Sequence, residues 1–132
     1  MNASLAMKQY GAVSRDAAVL GADSHNLILL LMKGCLEALA QAKGALQQGN
    51  IEMRGKKITR ASEIIMGLRD FLDTEKGGEL AQNLDALYDY MVRALWDAHK
   101  IPSEEKIDEV YKLMTNVASA WAEIGNEVHA SK

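Results

Sequence analysis

The chain has 132 residues, a formal net charge of −3 and a single cysteine, Cys35. This length predicts one domain with a substantial core, the lone cysteine excludes an internal disulfide, and a pI near 5.6 gives no broad electrostatic reason to expect nucleic acid or an anionic membrane as partner. One proline, 5% aromatic residues and no strictly alternating apolar run point to an all-α protein. No cationic region followed by a long apolar segment opens the chain, and the longest apolar run, Leu27 to Met32, is too short to span a bilayer, so a cytoplasmic protein without membrane insertion is expected.

Residues 1–22 are rich in Ala, Ser and Gly, with Met7, Tyr10 and Val13 as the larger apolar side chains at helical spacing. They are expected to form an N-terminal arm or short capping helix, and residues 23–132 the folded domain. Asp23 or Ser24 offers an N-cap to a first helix that runs to about residue 48 and stops at Gly49. Leu27, Leu31, Cys35, Ala38, Ala42 and Leu46 share one face. Ile28, Met32 and Leu39 widen it, and Leu29, Leu30 and Leu36 add apolar side chains on the side where polar ones are expected. Such an excess fits either a central helix packed on several sides or a second apolar surface awaiting a partner.

Asn50 can cap a second helix to about residue 73, striped by Ile51, Ile58, Ala61, Ile65, Leu68 and Leu72 and edged by Met53, Ile64 and Phe71. Its basic cluster, Arg54, Lys56, Lys57 and Arg60, lacks interleaved aromatics and is expected to be a solvated face. A third helix follows Gly77-Gly78 and ends near Lys100. Leu80, Leu84, Leu87, Met91 and Leu95 give it a core stripe, while Tyr88, Val92 and Trp96 on one flank and Tyr90 on the other stretch the apolar arc to roughly 240°. One bundle neighbour cannot cover that arc. Asp85, Asp89 and Arg93 lie opposite at the spacing of surface ion pairs.

Ile101-Pro102 breaks the chain, and Ser103 followed by Glu104 and Glu105 caps a fourth helix. Its stripe, Ile107, Val110, Met114, Val117, Trp121, Ile124 and Val128, is one-sided and leaves little apolar surface over apart from Leu113. Four helices of similar length with short connections predict an antiparallel up-down four-helix bundle.

Chemistry expected of such bundles is missing from the sequence. No glutamate has a histidine three residues later, as an inward-facing di-iron site requires, and one cysteine cannot attach a c-type haem. No metal, cofactor or catalytic residue is expected. Cys35, on a core stripe with no basic neighbour, reads as an inert buried thiol. The alternative is a histidine-phosphotransfer or other signalling bundle. The phosphotransfer motif has Lys three residues after an exposed mid-helix histidine; here Ile28 follows His25 at that offset and Pro102 follows His99.

The string Gly77-Gly78-Glu79-Leu80-Ala81, then Asn83-Leu84, then Leu87-Tyr88-Asp89-Tyr90-Met91 and Arg93 closely resembles the signature of the bacterial flagellin export chaperones, the FliS family. Leu27-Ile28, Leu31-Met32 and Gly34, the Gly49-Asn50 turn, Leu68, Leu72-Asp73 and Trp121 are similar to other family positions, so the resemblance covers roughly residues 22–124. The chain departs in reading Asp23-Ser24 where the family usually opens its helix with Ser-Pro, and Lys33 where an acidic residue is common. The resemblance implies a cytoplasmic chaperone, not an enzyme. It implies binding to the disordered C-terminal segment of newly made flagellin, prevention of premature polymerisation, and delivery to the flagellar type III export apparatus, with the export gate as a further partner when client is bound. Combined with the apolar excess on helices 1 and 3, it makes Ile28, Leu29, Met32, Leu36, Tyr88, Val92 and Trp96, with Tyr10 from the arm, the candidate flagellin-binding residues. In the family a tyrosine ahead of the first bundle helix resembles Tyr10, and an arm covering the client surface predicts that deleting residues 1–20 changes client affinity.

Overall fold

A computed structural model describes residues 24–130, with side-chain surroundings through Ile124. Four helices account for the fold: α1 (Ser24–Gln47), α2 (Ile51–Asp70), α3 (Gly78–Lys100) and α4 (Glu104–Ala130). Neighbours run α1 to α2 to α3 to α4 and back to α1. The pairings across each seam fix the directions. Early α1 meets late α4 where the Trp121 indole N–H donates to the His25 carbonyl at 2.9 Å, and late α1 meets early α4 where Lys43 pairs with Asp108 at 2.9 Å. Late α2 likewise meets early α3 through Arg69 and Asp85. The bundle is therefore antiparallel and up-down, as its short connections require.

The caps expected at Asn50 and Ser103 are present, while Asp23, a candidate cap for the first helix, lies outside the described residues. The Asn50 side chain accepts from the Met53 N–H at 3.1 Å, and Ser103 Oγ accepts from the Lys106 N–H at 3.2 Å; each satisfies a donor that the first helical turn leaves open. Gly49 ends the first hairpin at φ +69°. In the α2–α3 connection, Asp73 Oδ1 accepts from the N–H groups of Glu75 and Lys76, and the Gly77 N–H donates to the Asp73 carbonyl at 2.7 Å. A Cβ at Gly77 would lie 2.7 Å from that carbonyl oxygen and 2.6 Å from Ala81 Cβ, so this compact entry into α3 has room only for glycine.

The core is formed by stripe residues from every helix, with Leu39, Ile58, Ile65, Met91, Leu95, Ile107 and Met114 fully enclosed. Each side chain of this kind contributes about 1.5–3 kcal/mol through burial. Several expectations fail at the helix ends. Leu80 and Ile51, assigned to core stripes, are 67% and 65% exposed, and Ile124 is 45% exposed. Their angular positions are right, but no described neighbour extends far enough to cover them. Because Arg69 sits opposite Asp85, Leu80 lies more than a turn past the level where α2 ends at Asp70. Because His25 sits opposite Trp121, α4 continues beyond the level of Ser24. Arg54 also departs from the solvated face expected for the basic cluster: it is buried, and Nη2 donates to the His99 carbonyl in the last turn of α3 at 3.3 Å.

Candidate functional site

The end of the bundle where α1 begins and α2 ends carries a cavity of about 130 Å³. Ile28 and Met32 reach it from α1, Leu68 from α2 and Phe71 and Leu72 from the segment just after it, Leu84 and Tyr88 from α3, and Val117 and Trp121 from α4. Leu84, Val117 and Trp121 also form the wall of an adjoining groove of about 290 Å³ between α3 and α4, completed by Leu80, Asn116, Ala120 and Ile124. Among the described residues, Asn116 is the one polar side chain in the combined lining apart from the Tyr88 phenol and the Trp121 indole N–H. The two spaces form a continuous apolar surface that passes from the bundle interior to solvent.

Trp121 is held on two sides. Its N–H donates to the His25 carbonyl, and its ring stacks on the His25 imidazole with centroids 4.6 Å apart and planes 13° from parallel. That leaves the indole as a fixed wall between cavity and groove. Tyr88 is 2% exposed, and burial, with Cys35 adding to it, pushes its phenol up to about 12. Burial likewise pushes the Cys35 thiol up to about 12, so the thiol stays protonated and unreactive at neutral pH.

A polar clamp borders the cavity on its α2–α3 side. Arg69 Nε and Nη2 donate to the two carboxylate oxygens of Asp85 at 2.6 and 3.3 Å, and Nη1 donates to Asp89 at 3.1 Å. Arg93 closes on the other oxygen of Asp89 at 2.9 Å. The hydrogen bond from Arg69 holds the Asp85 carboxyl below its ordinary range, and the same bond holds the Arg69 guanidinium above its own. Asp85, Asp89 and Arg93 are thus the ion-paired face expected of α3, with Arg69 as the unforeseen partner that ties it to α2.

The sequence-predicted client residues divide into groups. Ile28, Met32 and Tyr88 come together on the cavity; Met32 and Tyr88 are buried there and Ile28 is partly exposed. Leu29 and Leu36 are half-buried against the core, on the edge of α1 that carries His25 and Lys43 towards α4. Val92 and Trp96 are half-buried on the α2-facing edge of α3 beyond the clamp, where Trp96 packs edge-on to His99 at 6.3 Å and 72°. Tyr10 lies outside the described residues, as does the whole 1–22 arm. Sequence reasoning did not single out Phe71, Leu80, Leu84, Val117, Trp121 and Ile124, which it took for edge or core. For Leu80 the signal is its place in the first turn of α3, and for Phe71 its place just past the end of α2; Leu84, Val117, Trp121 and Ile124 carry no such mark.

Among the described residues no three His, Cys, Asp or Glu side chains approach as a metal site would require, and no helix is long and apolar enough to cross a membrane. The phosphotransfer alternative needs an accessible imidazole. His25 and His99 are half-buried, with His25 Nε2 and His99 Nδ1 enclosed, and the side chain of His129 lies outside the described residues.

Comparison with known proteins agrees with the geometry. A family model described as "Flagellar protein FliS" matches residues 6–128. The flagellar secretion chaperone FliSB of Pseudomonas aeruginosa is 50% identical over 121 residues, 92% of this chain and 96% of that protein. The flagellar secretion chaperones FliS of Salmonella typhimurium and Vibrio cholerae are 43% and 38% identical, over 89% and 93% of this chain and 88% and 90% of theirs. These relatives are named as chaperones and not for any reaction. The chain belongs to the FliS family of flagellar secretion chaperones.

Proposed function

We propose that this protein binds the C-terminal segment of flagellin in the cytoplasm, prevents its premature polymerisation and presents it to the flagellar type III export apparatus, where the export gate receives the loaded complex. The observation that carries this reading is the apolar cavity and groove at one end of the bundle, within a chain of the secretion-chaperone family. A client that is amphipathic and disordered when free can lay apolar side chains along Leu80, Leu84, Val117 and Ile124 and place one against Trp121 at the cavity mouth. Ile28, Met32 and Tyr88 form the inner wall of that site. Leu29 and Leu36 on one edge, Val92 and Trp96 on the other, and Tyr10 from the arm extend the contact beyond it. Coupled folding and binding of this kind buries on the order of 1,000–3,000 Å² and gives back about 2–5 kcal/mol to ordering, which keeps the client releasable.

The test is a pull-down of intact flagellin beside flagellin lacking its C-terminal segment, with the chaperone as bait. Retention of the intact protein alone supports the assignment; equal retention of both places the client contact elsewhere. Val92→Asp separates the flank from the core: lost binding with unchanged helicity and melting assigns Val92 to the client, and global unfolding assigns it to packing.

A further inference from the structure

The walls of the groove are apolar, and the α2–α3 connection that leads into it is acidic. Residues 70 to 89, which connect α2 to α3 and build the first half of α3, hold six carboxylates and one lysine, a local net charge of −5 on a chain whose total is −3. Asp85 and Asp89 are engaged by Arg69. Of the other four, three stand beside cavity or groove residues in the sequence: Asp70 precedes Phe71 and Asp73 follows Leu72 at the cavity, and Glu79 precedes Leu80 at the groove. On α4 Glu123 precedes Ile124, and Lys112 lies one turn before Asn116, so that side is balanced in charge and the acidic excess belongs to the α2–α3 side. Asp70, Glu79 and Glu123 are exposed, and among the described residues no cation lies within ion-pair distance of any of them. The basic residues gather at the other end of the bundle, where the first ten residues of α2 carry Arg54, Lys56, Lys57 and Arg60 against Glu52 alone.

An apolar channel beside a segment of one charge sign, walled by low-dielectric protein, focuses the field of that segment on a ligand in the channel. Screening limits each exposed carboxylate to about 8 Å at physiological salt, so the residues adjoining the groove dominate what a ligand in it experiences. We propose that the groove selects an amphipathic segment whose large apolar residues are flanked by lysine or arginine, with Asp70, Glu79 and Glu123 receiving the cations as the apolar side chains enter. This deepens the client assignment above and rests on it for the identity of the client, though not for the chemistry of the groove. Rim charges act mainly on encounter and on rejection of the wrong partner, while the apolar contacts set the lifetime. A segment flanked by acids is therefore repelled even when its apolar pattern fits.

Two labelled synthetic peptides test this on the full chain by fluorescence anisotropy. They share leucines at helical i, i+3, i+4 and i+7 spacing and differ in carrying lysine or glutamate at the polar positions. The lysine peptide is expected to bind at least about tenfold more tightly at low salt, with the preference collapsing at high salt. The combined variant Asp70→Asn, Glu79→Gln and Glu123→Gln is expected to lose the preference without a change in melting temperature, because all three side chains are exposed. Equal affinity, a preference for the glutamate peptide, no binding of either, or a lysine preference untouched by the triple variant overturns the proposal. Self-association of the chain that Leu80→Asp abolishes, and that the lysine peptide cannot displace, would make a second copy the occupant and overturn it too. The flagellin C-terminal segment, added as competitor, separates the two claims. If it fails to displace the lysine peptide while the preference persists, the client assignment fails and the groove chemistry stands. If it binds with an affinity indifferent to the triple variant, the groove chemistry fails and the client assignment stands.

Discussion

At the scale of single residues, two kinds of polar group are held by different physics. Arg69 is half-exposed and gains from a fork geometry that lets one guanidinium satisfy Asp85 and Asp89 together. Replacing it with lysine keeps the charge and loses the fork, so Arg69→Lys should retain one carboxylate contact and Arg69→Gln neither. Both variants are expected to lower the urea midpoint, Gln more than Lys; equal midpoints would mean that charge alone matters. Because Asp85 has its carboxyl held below the ordinary range by Arg69, the clamp's contribution is present above that range and is lost as pH falls through the folded-state value. Tyr88 and Cys35 behave in the opposite sense, since burial raises both. Their neutral forms are favoured in the fold, so their contribution is complete below the unfolded values, 10.0 for Tyr88 and 9.0 for Cys35, and is lost as pH rises towards about 12. Urea unfolding followed by circular dichroism should therefore show stability falling from about pH 9 upward, by about 1.4 kcal/mol for each pH unit in which one such group is ionised only in the unfolded chain. A flat profile from pH 8 to pH 11 would contradict the burial of these two groups.

At the scale of the helix, the same residue type has different value at different points of one stripe. Leu95 and Leu80 lie on the same face of α3, yet Leu95 is fully enclosed and Leu80 is 67% exposed. Leu95→Ala should cost about 2–5 kcal/mol of stability. Leu80→Asp should leave melting nearly unchanged and weaken flagellin binding at least tenfold; a large fall in melting temperature would mean that Leu80 is packed after all. Asn50→Ala, which removes the cap on α2, should cost about 1 kcal/mol in urea unfolding. The contrast between Leu95 and Leu80 also marks what the sequence could convey. Helical periodicity placed the four helices, and the residue types placed the Asn50 and Ser103 caps and the Gly49 stop, because these depend on local spacing and chemistry. Periodicity gives the angle of a side chain about its own helix and not where the neighbouring helix ends. Leu80, Ile51 and Ile124 were therefore assigned to the core, although each lies beyond the reach of a described neighbour. Arg69 was missed for a related reason. Its partners Asp85 and Asp89 are on another helix, and only the register of α2 against α3 brings them together. Trp121 was recognised as a family residue and a core position, while its role as a wall fixed by His25 depends on the α1–α4 register.

At the scale of the molecule, the bundle has two unlike ends. At one, buried Arg54 donates to the last turn of α3, and the basic first half of α2 faces outward. At the other, the cavity and groove open beside the acidic α2–α3 connection and the apolar stripes of α3 and α4 outrun α2 and α1. A rigid core and an open apolar end suit a protein that must hold an otherwise disordered segment without being remodelled by it. The middle of the bundle, from Cys35 through Ile65 and Met91 to Met114, supplies the rigidity. The ends of the same helices supply the contact surface.

Titration calorimetry of the full chain with the flagellin C-terminal segment, beside the Leu80→Asp and Ile124→Asp variants, tests this account most directly. It predicts one-to-one binding with a negative heat-capacity change, and at least a tenfold weaker affinity in each variant while circular dichroism and melting stay as in the parent. Unchanged affinity in both folded variants would contradict the assignment of the groove as the client site.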